Sequence, residues 1–159
     1  MSLNNIRVGL GFDIHRWSED PDRKLVLGGV VFDDVPGLVG HSDADVVIHA
    51  CIDALLGAAG LGDIGQQFPN SDESLKGASS LEFLVKTVEL LVDAGWSVIN
   101  LDCCVITDKP KISEHKSEMI NNISRIVSAP VNIKGKTTEG SIQFADSITC
   151  HSVALLGAK

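Results

Sequence analysis

The sequence predicts an α+β fold in which helices pack on one face of a mixed β-sheet, from elements in the order β-β-α-α-β-α-β-β. Two observations carry this. Short runs rich in Val, Ile and Leu, bounded by Gly, Pro, Asn or Asp, have the composition of strands. Between them lie stretches whose apolar residues recur at three- and four-residue spacing, the period of one helix face. Apolar residues make up 44% of the chain but aromatic ones only 4%, and Tyr is absent, so the core must be built from Val, Ile, Leu and Ala. At 159 residues a single domain spanning 1–159 is expected, large enough to bury roughly two-thirds of its unfolded surface.

Each element has its own signal. "IRVGLGF" (6–12) reads as the first strand, and "KLVLGGVVF" (24–32) as a second, broken by a turn or bulge at Gly28–Gly29. Ser42 is a good N-cap, with Asp45 three residues on as a short capping-box acid, so a helix should run through 43–60 and end near Gly57 or Gly60. Residues 61–79 form a Gly/Pro/Asn/Asp-bearing loop longer than a connection requires. Ser79 or Ser80 caps the next helix, whose apolar face is Leu81, Leu84, Val85, Val88, Leu91 and Val92 and which stops at Gly95. A long strand at 96–107, a turn at 108–113, and a polar-faced helix at 114–128 with Met119, Ile120, Ile123, Ile126 and Val127 inward follow. The last strands are 131–137 and 148–156.

Charge and cysteine content exclude several functions. The net charge is −8 and no basic tract exists, which argues against nucleic acid as a partner. No apolar run approaches the ~20 residues of a membrane span, and no basic segment leads into an apolar one at the start, so no membrane association and a cytoplasmic location are expected. The four cysteines form no C-x-x-C pair and read as small buried hydrophobes in a reducing compartment.

The chemistry concentrates in three places. In "GFDIHRW", Asp13 and His15 sit two apart at a strand end and project to the same side. On the following helix Asp45, His49 and Asp53 fall at i, i+4 and i+8, a single stripe on an otherwise apolar helix. A lone histidine is more often a satisfied core or surface residue. Asp13, His15 and His49 together, however, offer the three protein ligands of a catalytic zinc with an open fourth position, with Asp45 and Asp53 as partners that would orient the imidazole. His41 and Ser42 precede the helix N-terminus, a favourable place for a phosphate. In "IKGKTTEGS", Lys134, Lys136, two hydroxyls and Glu139 suit phosphate oxygens and a hard cation such as Mg²⁺, or else form an ordinary surface turn.

The segments "GFDIHRW", "HSDADVVIHACIDALLGAAGLGDIGQQFPNSD", "KPK" and "KTTEG", in this order through nearly the whole chain, resemble the 2-C-methyl-D-erythritol 2,4-cyclodiphosphate synthase family of the non-mevalonate isoprenoid pathway. The resemblance implies a homotrimer with active sites between subunits. It implies conversion of 4-diphosphocytidyl-2-C-methyl-D-erythritol 2-phosphate to the 2,4-cyclodiphosphate and CMP by intramolecular phosphoryl transfer. Carried over by motif, Asp13, His15 and His49 hold Zn²⁺. His41 and Ser42 contact phosphate, His41 steadying the transition state. Asp63, Ile64 and Gly65 with Phe68, Pro69, Asn70, Ser71 and Asp72 hold the methylerythritol unit. Thr107, Asp108, Lys109, Pro110, Lys111, Ile112 and Ser113 form the cytidine pocket. Lys136 adjoins the phosphates, Thr137 and Thr138 grip the diphosphate, Thr137 near the reacting phosphorus, and Glu139 binds a second cation, Mg²⁺ or Mn²⁺. Where many members of the family carry a Gly/Phe/Arg-rich stretch, this chain reads "EGSIQFADSITC" without Arg. The alternatives are a two-metal nucleotide phosphohydrolase on the same ligands and a non-catalytic, metal-stapled trimer that binds cytidine nucleotides.

Overall fold

The structure is a computed structural model and describes residues 5–141 and 146–159. Four strands form a mixed sheet in the order β1-β6-β4-β5, with β1 Ile6–Arg16, β4 Trp96–Ile106, β5 Val131–Lys136 and β6 Ser147–Ala158. β6 is antiparallel to both β1 and β4, and β4 is parallel to β5. β1, β4 and β5 therefore run the same way and end at the same edge of the sheet. β2 (Lys24–Leu27) and β3 (Val30–Pro36) make a separate hairpin. Its two-residue turn, Gly28–Gly29, has φ of 58° and 73°, values open to glycine at little cost.

The helices α1 (Val46–Ala59), α3 (Ser80–Asp93) and α4 (Ile112–Val127) cover one face of the sheet, as the sequence predicts. On that face Leu101, Cys103, Val105, Ile133, Ile148, Cys150, Ala154 and Leu156 are buried. α1 is the centre of the molecule, and eleven of its fourteen residues are buried. It approaches β1 unusually closely because Gly9 and Gly11 present no side chain: a β-carbon on Gly9 would stand 2.0 Å from the Ala54 carbonyl oxygen. The opposite face of β1 and β6 is apolar but exposed, at Val8, Leu10, Phe12, Ile14 and Val153. No described helix is long and apolar enough to cross a membrane.

Two caps differ from expectation. α1 begins at Val46 with Asp45, not Ser42, as its N-cap; Asp45 Oδ1 accepts from the backbone N–H groups of Val47 and Ile48 at 3.1 Å. Asp45 also accepts from Gly28 N at 2.9 Å and Gly29 N at 2.7 Å, so one carboxylate joins the hairpin turn to the helix start. Burial and the neighbouring Asp43 charge push its carboxyl up to about 6, against the pull of those backbone donors. Ser79 occupies the N-cap position of α3 but makes no side-chain cap. The long 61–79 segment is not all loop: it holds the short helix α2 (Ile64–Gln67) and a 3₁₀ turn at Glu73–Leu75. The cysteines are free; Cys51, Cys103 and Cys150 are buried, and Cys104, pointing away from Cys103, is half-buried.

Candidate metal centre and flanking clefts

Asp13 and His15 lie on the helix-facing side of β1 near its end, and the close approach of α1 lays His49 beside them. Asp13 Oδ2 is 3.0 Å from His15 Nε2 and 3.0 Å from His49 Nδ1, and the two ring nitrogens are 3.3 Å apart. Ligands at ~2.0–2.1 Å around a tetrahedral ion are separated by about 3.3 Å, so three donors already occupy one face of such a tetrahedron. His15 Nδ1–H donates to the Val39 carbonyl oxygen at 2.6 Å, so Nε2 is the nitrogen that the ring turns toward Asp13 and would give to a metal. The donor set of two imidazoles and one carboxylate fits a borderline divalent ion, and it is the single such cluster among the described residues. Burial raises the Asp13 carboxyl, but hydrogen bonds and charge from His15 and His49 outweigh it and hold it at about 2. Burial likewise lowers the His15 imidazole, while Asp13 raises it more, for a net upward shift.

Asp45 and Asp53 do not orient His49, contrary to the reading of the stripe. Asp45 is committed to the cap and the hairpin, and Asp53 Oδ1 accepts from Ile64 N–H at 2.9 Å, fastening α2 to α1. His49 Nε2 instead meets Ser80 Oγ at 2.8 Å and Ser42 Oγ at 3.2 Å.

The triangle opens into a cleft of about 200 Å³ lined by His41, Ser42, Ile64, Gly65, Phe68 and Asn70 together with Asp13, His15 and His49. His41 Nε2 is buried there without a hydrogen-bond partner, a polar atom positioned for a ligand. Arg23, which no sequence motif marks, fixes this wall: its guanidinium donates to the carbonyls of Leu38, Gly40 and Ser42 at 3.0, 3.2 and 2.5 Å. Phe83 and Leu75 also line the cleft, and Phe68 stacks on Phe83 with centroids 4.7 Å apart. Asp63, Pro69, Ser71 and Asp72 lie outside the lining: the Asp63 carboxylate caps α2, and Asp72 caps the 3₁₀ turn.

A second cleft, about 460 Å³, lies between β5 and α4 and brings together Thr107, Asp108, Pro110, Lys111, Ile112, Ser113, Lys136 and Thr137. Lys116, Ile133, Lys134 and Gly135 complete it. Lys109 and Thr138 face an adjoining hollow of about 340 Å³ with Trp17 and Pro36. Thr138 donates through N–H and Oγ1 to the Asp108 carboxylate at 2.9 and 2.7 Å, which lowers the Asp108 pKa and ties the 107–113 segment to the Thr–Glu motif. The Lys134 ammonium is paired with the Asp102 carboxylate at 2.5 Å. Glu139 has φ of 51° and accepts the Thr137 hydroxyl hydrogen. The Arg-less stretch falls partly on residues 142–145, outside the described residues. The two clefts share no lining residue, yet both lie where β1, β4 and β5 end.

The profile of the YgbB family matches residues 6–157. The chain belongs to the YgbB family. A relative from Syntrophomonas wolfei subsp. wolfei named 2-C-methyl-D-erythritol 2,4-cyclodiphosphate synthase is 48% identical over 157 residues, covering 95% of this chain and 98% of the relative. A synthase of the same name from Caldicellulosiruptor bescii is 50% identical over 156 residues, covering 94% and 98%. Among solved structures, IspF from Plasmodium falciparum in complex with CDP superposes with a TM-score of 0.83 at 35% identity, covering 99% of each chain. The bifunctional IspDF from Campylobacter jejuni gives a TM-score of 0.89 at 38% identity; this YgbB-family chain is covered over 97% and spans 42% of that longer protein.

Proposed function

We propose that this member of the YgbB family converts 4-diphosphocytidyl-2-C-methyl-D-erythritol 2-phosphate to 2-C-methyl-D-erythritol 2,4-cyclodiphosphate and CMP, a lyase step of the non-mevalonate isoprenoid pathway. The observation that carries this reading is the Asp13–His15–His49 triangle, open to a cleft in which the His41 Nε2 has no protein partner. The names of the relatives and the CDP-bound Plasmodium structure support it.

In this reading the substrate's 2-phosphate oxygen attacks the β-phosphorus, a new P–O bond closes the ring, and the bond to the α-phosphate oxygen breaks to release CMP. Nucleophile and electrophile belong to one molecule, so positioning is the enzyme's main task, and well-oriented intramolecular reactions gain ~7–11 kcal/mol over separated partners. Zn²⁺ on Asp13, His15 and His49, and Mg²⁺ or Mn²⁺ on Glu139, would supply positive charge to phosphate oxygens that must approach one another. His41 and Ser42 hold phosphate beside the triangle. Ile64, Gly65, Phe68 and Asn70 hold the methylerythritol unit, with Asp63 and Asp72 shaping that wall through the caps they make; the 107–113 segment receives cytidine; Lys136 adjoins the phosphates, and Thr137 and Thr138 grip the diphosphate. No protein nucleophile is needed. The exposed apolar strip of β1 and β6 supports assembly as a homotrimer, and the two clefts, separate within one chain, suit active sites shared between subunits.

The test is phosphorus NMR of the purified protein with this substrate, zinc and magnesium, against an EDTA control. Paired ring-diphosphate signals with stoichiometric CMP, lost in EDTA, are expected. Open-chain phosphates would replace the reading with a metal-dependent phosphohydrolase, and an unchanged spectrum with nucleotide bound would reduce it to a binding protein.

A further inference from the structure

We infer that Arg23 is a positioning residue for a phosphate group at the His41–Ser42 wall: its guanidinium sets the carbonyls of that wall and holds a positive charge directly behind it. The peptide units of the wall alternate. Leu38, Gly40 and Ser42 turn their carbonyl oxygens to the guanidinium, Leu38 to Nε at 3.0 Å and the other two to one terminal nitrogen at 3.2 and 2.5 Å. The intervening oxygens face other partners: Val39 accepts from His15 Nδ1–H, and His41 accepts from Gly77 N–H at 2.9 Å. Every carbonyl from 38 to 42 is thus committed, and one side chain takes three of them.

The carbonyl and N–H of a trans peptide point in opposite directions. Turning three oxygens to Arg23 therefore turns the N–H groups of Val39, His41 and Asp43 away from it. Val39 N–H donates to the Arg16 carbonyl oxygen at 2.9 Å, and Asp43 N–H to that of Ala78 at 3.1 Å. His41 N–H, between them, meets no acceptor among the described residues. The same residue carries the buried Nε2 that also lacks a partner. Both groups are left for a ligand, and both are placed by the wall that Arg23 holds.

Gly40, His41 and Ser42 line the cleft and Arg23 does not, so the guanidinium lies behind the wall rather than on the ligand. It is half-buried, and no carboxylate among the described residues pairs with it. Carbonyl oxygens satisfy its hydrogen bonds without cancelling its charge, which a guanidinium keeps at any working pH. In a chain of net charge −8, a fixed cation behind a cleft favours an anion on the other side. The backbone of Arg23 is secured as well: its N–H donates to the Asp20 carbonyl oxygen at 3.2 Å, and its carbonyl accepts from Gly37 N–H at 3.0 Å. Gly37 also lets the stem pass, since a β-carbon there would stand 2.6 Å from Arg23 Cγ.

The phosphate at this wall rests on the function proposed above, but its binding is measurable without turnover. The experiment titrates inorganic phosphate into the full chain supplied with zinc, at low ionic strength, following the His41 and Ser42 amide signals by NMR. Melting temperature, zinc content, kcat and KM are measured beside it. Arg23→Met removes the donors and the charge at similar length; Arg23→Lys keeps the charge but replaces the fork by a single ammonium. Arg23→Met is expected to weaken phosphate about tenfold or more and to raise KM to match, with zinc content unchanged. Arg23→Lys is expected to recover phosphate affinity to within about threefold of wild type, with kcat still about tenfold lower because the wall is less well held. Arg23→Met with wild-type phosphate affinity overturns the inference, even when its melting temperature falls. Equal losses of affinity in both variants, following the fall in melting temperature, overturn it as mere loosening of the fold. Loss of zinc from either variant overturns it too, by placing Arg23 with the metal ligands instead. If Arg23→Met does not fold, Arg23→Lys decides: wild-type kcat and KM there overturn the inference. Wild type whose His41 and Ser42 amides ignore phosphate overturns it as well. Wild type that binds phosphate there but turns over no substrate overturns the proposed function and leaves the Arg23 comparison standing.

Discussion

Gly11 of β1 lies so close to Ala50 of α1 that a β-carbon on Gly11 would stand 1.9 Å from the Ala50 carbonyl oxygen. The contact is backbone to backbone, so no side chain can yield; the helix itself must move. Gly11→Ala is expected to destabilise the protein by about 3 kcal/mol in urea unfolding, at the upper end of overpacking costs, and to weaken zinc binding by lifting His49 away from Asp13 and His15. Gly57, on the same helix, meets nothing within 4 Å, and Gly57→Ala should stabilise by about 0.5–1 kcal/mol without touching the site. Equal effects of the two substitutions would contradict this account.

That contact also shows where sequence reasoning reached and where it stopped. Alternation on the strand placed Asp13 and His15 on one side, and helical spacing placed Asp45, His49 and Asp53 in one stripe. Both were legible because periodicity is local. The work of the stripe was not: Asp45 joins an N-terminus to a hairpin turn seventeen residues earlier, and Asp53 joins α1 to α2. Arg23 and the Ser80 contact of His49 were invisible because their hydrogen bonds depend on how distant segments pack. Three of the four cysteines are buried as their composition suggests, while strand alternation turns Cys104 away from Cys103 and leaves it half-buried.

Asp53 offers a separation of binding from metal retention. Its carboxylate accepts from Ile64 N–H at 2.9 Å, holding the segment that lines the cleft with Ile64 and Gly65. Asp53→Ala frees that segment and leaves a half-buried N–H unpaired, a cost of about 1–3 kcal/mol. The expected result is a several-fold higher KM with zinc stoichiometry at the wild-type value. Loss of zinc in parallel would assign Asp53 to the metal site after all.

The sign of the pH response follows from His15. Its pKa in the folded protein is raised above 6.5, chiefly by Asp13 against the opposing effect of burial. In the metal-free protein the folded state therefore binds more protons than the unfolded chain in the window just above 6.5. Stability from this group is fully present below pH 6.5 and is lost as pH rises through the raised value. Asp13, held at about 2, contributes stability above its ordinary value of 3.8 that is lost as pH falls through about 2. A melting-temperature series in EDTA should thus show a decline on the alkaline side of pH 6.5. With zinc the same window should slope the other way, because protons compete with the ion for His15. Identical slopes with and without zinc would show that the ion does not use this imidazole.

The proposed function puts a second cation on Glu139, a residue held in a left-handed backbone conformation. A φ of 51° costs a non-glycine residue about 1 kcal/mol or more, and such strain persists where the surrounding structure enforces it. Thr137, which lines the second cleft, donates its hydroxyl hydrogen to Glu139 Oε1 and so ties the exposed carboxylate to the rim of that cleft. Glu139→Gln keeps an acceptor for Thr137 but removes the charge, so zinc content should be unchanged while at least tenfold more Mg²⁺ is needed for half-maximal turnover. Glu139→Gly removes the backbone strain together with the carboxylate. Its melting temperature should hold or rise, with activity lost at any Mg²⁺ concentration. A glycine variant that is both less stable and still Mg²⁺-responsive would mean that the left-handed turn, not the carboxylate, is what this position contributes.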